Sequence, residues 1–316
     1  MATIVTRDKP KRTAAKAAAK VDVATPPRFS NRLRAAVVIA VATATAWGLG
    51  LLWERVAPSV VNRDRYLLPA ENISLSTPPD WLVGDVRTEV IRNAGLDRRL
   101  SVADDSFIPT VRDAFALSPW IESVEKVEKS YPPAVHLTVT YRKPIAVVEF
   151  AAGAGMRLLP VDRDGIHLPM RDVAEIRLRY LPRLSGIVGQ PPVGQRWDDP
   201  RVAGGLQLAQ QLADVWERYY LVEIVPSVRP ETRGGSSAFL YRLVTRGGTR
   251  INWGAAPGAE LPGEPDFATK LARLDECITK NGPLNTVRAP DMVDVRYDLV
   301  VTPRAVQHAD DAVFVK

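Results

Sequence analysis

The chain has 316 residues, 46% apolar and 25% charged, enough for about two domains with buried cores, and its 26 prolines and 20 glycines argue against an all-helical fold. One cysteine excludes an intrachain disulfide framework and any Cys-x-x-Cys redox or zinc motif. The net charge of +6 is local, because residues 1–34 hold nine Lys and Arg against Asp8 and Asp22 and leave the remainder close to neutral.

That first segment, with its run KRTAAKAAAKVDVATPPR, has no core-forming pattern and reads as a disordered cytoplasmic tail. Its charge fits solubility and attraction to anionic lipid, and nucleic acid is not the expected partner. Residues 35–53, AAVVIAVATATAWGLGLLW, follow without a charged residue. At about 1.5 Å per helical residue they span roughly the 30 Å hydrocarbon core, so one transmembrane helix is expected. A cleaved signal peptide competes, since Ala42 with Ala44, or Ala44 with Ala46, makes a small-x-small pattern. Against it stand the long preceding tail and the continuing apolar run through Leu49, Leu51, Leu52 and Trp53. The basic flank keeps the N-terminus in the cytoplasm and places the rest of the chain across the membrane.

Residues 54–69 read as a linker. Residues 73–76 suggest a short strand, ended by Thr77, Pro78 and Pro79. Val83, Val86, Val90 and Ile91 then fall at helical spacing, with Asp80 as the N-cap and Gly95 as the stop. A second helix is expected after Asp104 or Asp105, with Phe107, Ile108, Val111 and Phe115 on one face until Ser118 and Pro119. In SPWIESVEKVEKSYPPAVHLTVTY, residues 118–141, Val135, Leu137, Val139 and Tyr141 alternate with His136, Thr138 and Thr140. This is a half-buried strand in a hairpin whose connection holds Pro132 and Pro133. Strand, helix, helix, strand, strand over 70–148 is the size and order of a POTRA domain, three strands covered on one side by two helices.

The remainder, 149–303, reads as a mainly antiparallel, β-rich domain with two helices, so the fold class expected is α+β. Strands are predicted at 222–225, 238–245, 249–253 and 293–301, with Gly247 and Gly248 as a two-residue hairpin turn. The helices are 200–219, with Leu206, Ala209, Leu212, Ala213 and Trp216 on its apolar face, and 265–280, which carries Cys277. In the last strand, VDVRYDLVVTP, Arg296, Asp298 and Val300 would share one face and Val295, Tyr297, Leu299 and Val301 the other. An open sheet edge of this kind can take up a partner's strand. Residues 304–316 form a C-terminal tail.

Chemistry is harder to find. His136, His167 and His308 show no HxH or HExxH spacing. Asp162, Asp164 and Gly165 open like a calcium loop, but Ile166 and Val173 stand where oxygen donors are required, so a DG turn is expected. GAGMRL lacks the third glycine of GxGxxG, GGSSAF is no GxSxG elbow, and no phosphate-binding GxxxxGK[ST] occurs. The reading is a non-enzymatic contact protein with no catalytic or metal residue, cofactor or small-molecule substrate.

The run SPWIESVEKVEKSYPPAVHLTVTYRKPIAVVE resembles the POTRA hairpin of the FtsQ/DivIB bacterial cell-division proteins, with Pro119, Trp120, Val124, Val127, Pro132, Leu137, Val139, Arg142, Pro144 and Ala146 at the family's positions. Tyr141, where the family often has Glu, and the doubled proline depart from it. VDRDGIHLP (161–169), LPRLSGIVG (181–189), TRGGTRINWG (245–254), KLARLDECI and VDVRYDLVVTP (293–303) are similar to later family segments, in the family's order. The resemblance implies a single-pass type II protein of the cytoplasmic (inner) membrane at the division site. It would link cytoplasmic-side division factors to FtsB/FtsL-like bitopic proteins and other divisome components, and so to septal peptidoglycan synthesis. It also implies that the last strand region receives the FtsB-like partner, which makes Arg296, Tyr297, Leu299 and Val301 the candidate partner-binding residues. The alternative is a membrane-anchored POTRA docking module for secretion or outer-membrane assembly.

Overall fold

The computed structural model describes residues 31–304 except 62, 99, 153 and 154. The expected disordered tail, but for its last residues, and the C-terminal segment 305–316 with His308 lie outside the described residues. The chain divides into two compact units, Met1–Val60 and Val61–Lys316.

In the first unit, helix α1 (Asn31–Val61) extends the predicted apolar segment at both ends. Its stretch Leu33–Val56 is long and apolar enough to cross a membrane, and none of it is buried by the protein. Thr43 and Thr45 donate their hydroxyls to the carbonyls of Ile39 (2.9 Å) and Val41 (2.7 Å), so these polar groups need no water.

The second unit opens with β1 (Leu67–Leu68), β2 (Ile73–Leu75), α2 (Val86–Asn93), β3 (Leu100–Ser101) and α3 (Phe107–Ala116). The hairpin β4 (Ile121–Ser130) and β5 (Ala134–Tyr141) follows. β1 and β3 form a small antiparallel ribbon, while β2, β5 and β4 make a three-stranded sheet in that order. β2 runs parallel and β4 antiparallel to the central β5. Val86, Val90, Phe107, Val111 and Phe115 from the two helices share one core with Ile73, Val135 and Leu137. Glu122, Glu125, Lys126, Glu128 and Lys129 stud β4, a sheet edge on which charge discourages stray pairing.

Two predicted caps move. α2 is capped by Asp85, whose carboxylate accepts from the Thr88 amide, and not by Asp80. Val83 consequently leaves the helix face and is exposed, because residues 82–83 are extended: Leu82 bridges to Val173, and the Val83 amide donates to Asp172 O at 2.8 Å. α3 begins after Ser106, which makes no side-chain cap; Asp104 instead accepts from the Ser106 amide and hydroxyl one turn earlier.

The remaining strands are β6 (Ala146–Ala152), β7 (Gly155–Val161), β8 (Arg183–Leu184), β9 (Leu221–Pro226), β10 (Glu231–Arg233), β11 (Ser236–Ala238), β12 (Leu240–Thr245), β13 (Arg250–Ala255), β14 (Met292–Asp294) and β15 (Val300–Thr302). The helices are α4 (Glu175–Tyr180), α5 (Pro200–Gln211) and α6 (Phe267–Asn281). Eight strands form one sheet in the order β15-β14-β13-β12-β9-β8-β6-β7, with β10 and β11 as a separate hairpin. Most of its pairing is antiparallel, as expected, but β13–β14, β9–β8 and β8–β6 are short parallel pairings, so the sheet is mixed. Leu206 and Leu208 of α5 and Leu274 and Cys277 of α6 share its core with Ile224, Leu243, Ile251 and Trp253.

α5 sits close to the sheet because Gly205 carries no side chain; a Cβ there would be 2.7 Å from a Leu184 methyl. The helix ends at Gln211, well before the predicted residue 219. The apolar spacing continues, with Leu212, Trp216 and Tyr219 all buried, but through turns that deliver the chain to β9 by way of Tyr220 at φ 56°. The β12–β13 connection is a three-residue loop, not two. Gly248 N–H donates to Thr245 O, Thr245 N–H donates to Thr249 O, and Gly248 takes φ 80° as the left-handed residue of a bulged turn.

Candidate partner-binding edge

The expected continuous strand over 293–301 is two strands and a turn. β14 runs parallel to β13, the chain reverses through residues 295–299, and β15 returns antiparallel to β14, with Val293 opposite Val301. The reversal is local chemistry. Asp294 accepts from the Arg296 amide at 3.0 Å, an Asx-type turn, and also holds the Arg296 guanidinium, with Nη2 to Oδ2 at 2.7 Å. The predicted two-faced alternation of Arg296, Asp298 and Val300 against Val295, Tyr297, Leu299 and Val301 therefore fails, since the turn residues have no shared sheet plane.

Burial works to raise the Asp294 carboxyl, but the hydrogen bonds from Arg296 and its charge outweigh it and hold the carboxyl below the usual range. The Arg296 guanidinium is raised in turn, chiefly by its bond to Asp294. The pair is partly exposed, with side chains 30% and 18% accessible, so it fixes the turn while leaving guanidinium surface at hand.

The four sequence-selected residues come within one turn and strand but play different parts. Tyr297 is half-buried, its ring beneath the Arg233 guanidinium at 4.2 Å from the centroid. Leu299 and Val301 are half-buried against the main core, which makes them packing residues as much as contact residues. Val300, assigned no role by the sequence, is 53% exposed. β15 hydrogen-bonds to β14 alone and ends the sheet. Among the described residues its second edge has no partner strand.

The support beneath this edge is made by tertiary contacts. Arg273 of α6 donates to Val295 O at 3.0 Å, tying the turn to the helix. Behind Gly254, the Glu264 carboxylate accepts from the Ala255 amide (2.8 Å), the Leu261 amide (3.0 Å) and Lys270 Nζ (2.7 Å). Gly254 has φ 100°, and a Cβ on it would collide with Glu264 Oε1 and press within 3.2 Å of Arg296 Cγ. Arg233 is carried by the β10–β11 hairpin, whose turning pair Gly234-Gly235 is a readable signal in the sequence.

Asp162, His136 and His167 are each held by structural hydrogen bonds. Asp162 accepts from the Asp164 and Ile166 amides and from Arg142 (2.6 Å), which makes the expected DG turn with Gly165 at φ 79°. His167 is buried with Nδ1 2.9 Å from Pro191 O, and His136 Nδ1 lies 2.9 Å from Ser74 Oγ. Burial pushes the Cys277 thiol up. No protein-family model matches the chain, and no curated relative matches its sequence.

Proposed function

We propose that the chain is a non-enzymatic, single-pass divisome scaffold of the FtsQ/DivIB kind, whose β15 edge takes up a strand from an FtsB-like bitopic partner. The observation that carries this reading is the position of β15: it closes an eight-stranded sheet with one partner strand, beside an exposed Val300 and a partly exposed Arg296. Strand addition at such an edge draws affinity from main-chain hydrogen bonds and specificity from alternate side chains. Further support comes from the strand–helix–helix–hairpin order, with β5 between a parallel β2 and an antiparallel β4, which fits the POTRA expectation. The apolar helix α1 fits the single-pass, inner-membrane expectation, with the module held outside the cytoplasm.

The test is capture of an FtsB-like single-helix protein by the full chain in detergent, wild type against Tyr297→Glu. The change removes the ring from under Arg233 and adds a negative charge beside the edge, so capture is expected to be lost. Equal recovery by both chains would remove the β15 proposal. Depletion in cells is expected to give filaments without septa, and normal septation would favour the secretion or outer-membrane docking alternative.

A further inference from the structure

The opposite end of the same sheet is also open. β7 pairs with β6 in an unbroken register, Ala152↔Gly155 through Ala146↔Val161. Val147 N–H points the other way, to Pro182 O, so the two-bond pairs of the β6–β7 ladder are the alternate ones, such as Val148 with Leu159 and Phe150 with Arg157. The amides and carbonyls of Met156 and Leu158, and the carbonyl of Pro160, which has no N–H, therefore point outward. The Pro160 carbonyl is capped by Leu168 N–H at 2.9 Å. Those of Met156 and Leu158 find no hydrogen-bond partner among the described residues.

Beside this edge lies a groove lined by apolar Met156, Leu158, Val173 and Leu178 and by cationic Arg171, Arg179 and Arg183, while Arg157, between Met156 and Leu158, turns its side chain to the opposite face of β7. Only Glu149 and Glu175 among the lining residues are acidic, and they already face Arg183 (3.6 Å) and Arg179 (2.6 Å). Arg157 has no ion-pair partner among the described residues. Met156 is 60% exposed, an uncommon state for a large apolar side chain on a bare strand edge.

We propose that β7 is a second docking edge, which takes up an extended segment of another protein with alternating apolar and acidic side chains. Main-chain bonds to Met156 and Leu158 would set its register, its apolar side chains would enter the groove, and its carboxylates, on the opposite face of the added strand, would meet Arg157. The Leu168 cap limits the open edge to residues 155–159, about 17 Å of strand. The excess of positive charge selects acidic over basic segments. This edge lies seven strands from β15, so it serves a partner other than the one proposed there.

The probe is a fluorescent eight-residue peptide of alternating valine and glutamate, titrated against the full chain in detergent and followed by amide hydrogen exchange. Binding is expected to slow exchange at Met156 and Leu158, while the Arg157 and Leu159 amides, already in the ladder, change little. Met156→Pro removes an outward N–H that the β6 ladder does not use, and is expected to weaken binding about tenfold or more. Arg157→Glu, a surface change, should abolish the preference over a valine–lysine peptide, and added salt should weaken wild-type binding. Tyr297→Glu should bind the peptide like wild type, which separates this edge from β15. Equal binding of both peptides, no effect of Met156→Pro, or protection of Met156 arising from self-association of the chain would each overturn the proposal.

Discussion

The Trp120 indole N–H donates to Asp172 Oδ2 at 2.8 Å, and both residues are buried. Trp120 closes the helix-covered sheet just before β4, whereas Asp172 belongs to the segment after β7, so one bond joins the two sheet systems. The backbone does the same beside it, through Val83 N–H to Asp172 O and the Leu82–Val173 bridge. Asp172→Ala leaves a buried indole N–H unpaired and should cost about 1–3 kcal/mol. Trp120→Phe leaves the carboxylate short of a donor instead. Denaturant midpoints of the two single variants and the double should show coupling, and strictly additive losses would mean the bond does not join the sheets.

Sequence patterns served where the cause is local. The hairpin 121–141 was readable because Val135, Leu137 and Val139 alternate strictly and the prolines mark the connection, and α3 because Phe107, Val111 and Phe115 repeat at helical spacing. Asp80 and Asp85 are equivalent as letters; what selects Asp85 is Thr88 three residues on and the pairing of Leu82 and Val83 with residues 172–173, a tertiary contact. VDVRYDLVVTP kept its alternation across a reversal that has no glycine or proline, because the Asp294 side chain makes the turn. β6 and β7 carry weak local signals: the first is an apolar run without alternation, and the second begins inside a GAG that as letters also fits part of a nucleotide motif. The β10–β11 hairpin that brings Arg233 over Tyr297 cannot be placed from a pattern, since that contact joins residues 64 positions apart.

Lys270 and Glu264, each with a side chain 1% exposed, form a buried ion pair 2.7 Å apart beneath the β15 end of the sheet. Lys270→Met strands the carboxylate with two amide donors and no counter-charge, and should cost about 3–5 kcal/mol. Lys270→Met with Glu264→Gln should recover much of that loss. Unfolding in denaturant checks both, and a double variant no better than the single would show that the charge is not the cause.

α1 places Val41 within its 24-residue apolar stretch Leu33–Val56, about one helical turn from the centre. Val41→Arg puts a charge where insertion scales assign a penalty of about 2.5–3.5 kcal/mol, so membrane integration should fall. Alkaline extraction of membranes is the measurement: wild type should stay in the pellet and the variant should move partly to the supernatant.

Asp294 sets the acid limit of the candidate edge. Its carboxyl is held below the ordinary value of 3.8, against burial, by Arg296. A depressed folded pKa contributes stability that is fully present above the unfolded value and lost as pH falls through the folded one. Asp294→Asn removes that contribution, so the gap between wild type and variant should be widest at neutral pH, persist to about pH 4, and close below it. Denaturant midpoints measured from pH 7 to pH 2 provide the check. Arg296 keeps its charge throughout, so the same loss of Asp294 should free the guanidinium at acid pH and unlock the turn that leads to β15. Capture of the partner at the β15 edge should then weaken over the same pH interval in wild type, and show little pH dependence there in Asp294→Asn. A gap between wild type and variant that stays constant down to pH 2 would show that the Asp294–Arg296 bond does not hold the turn.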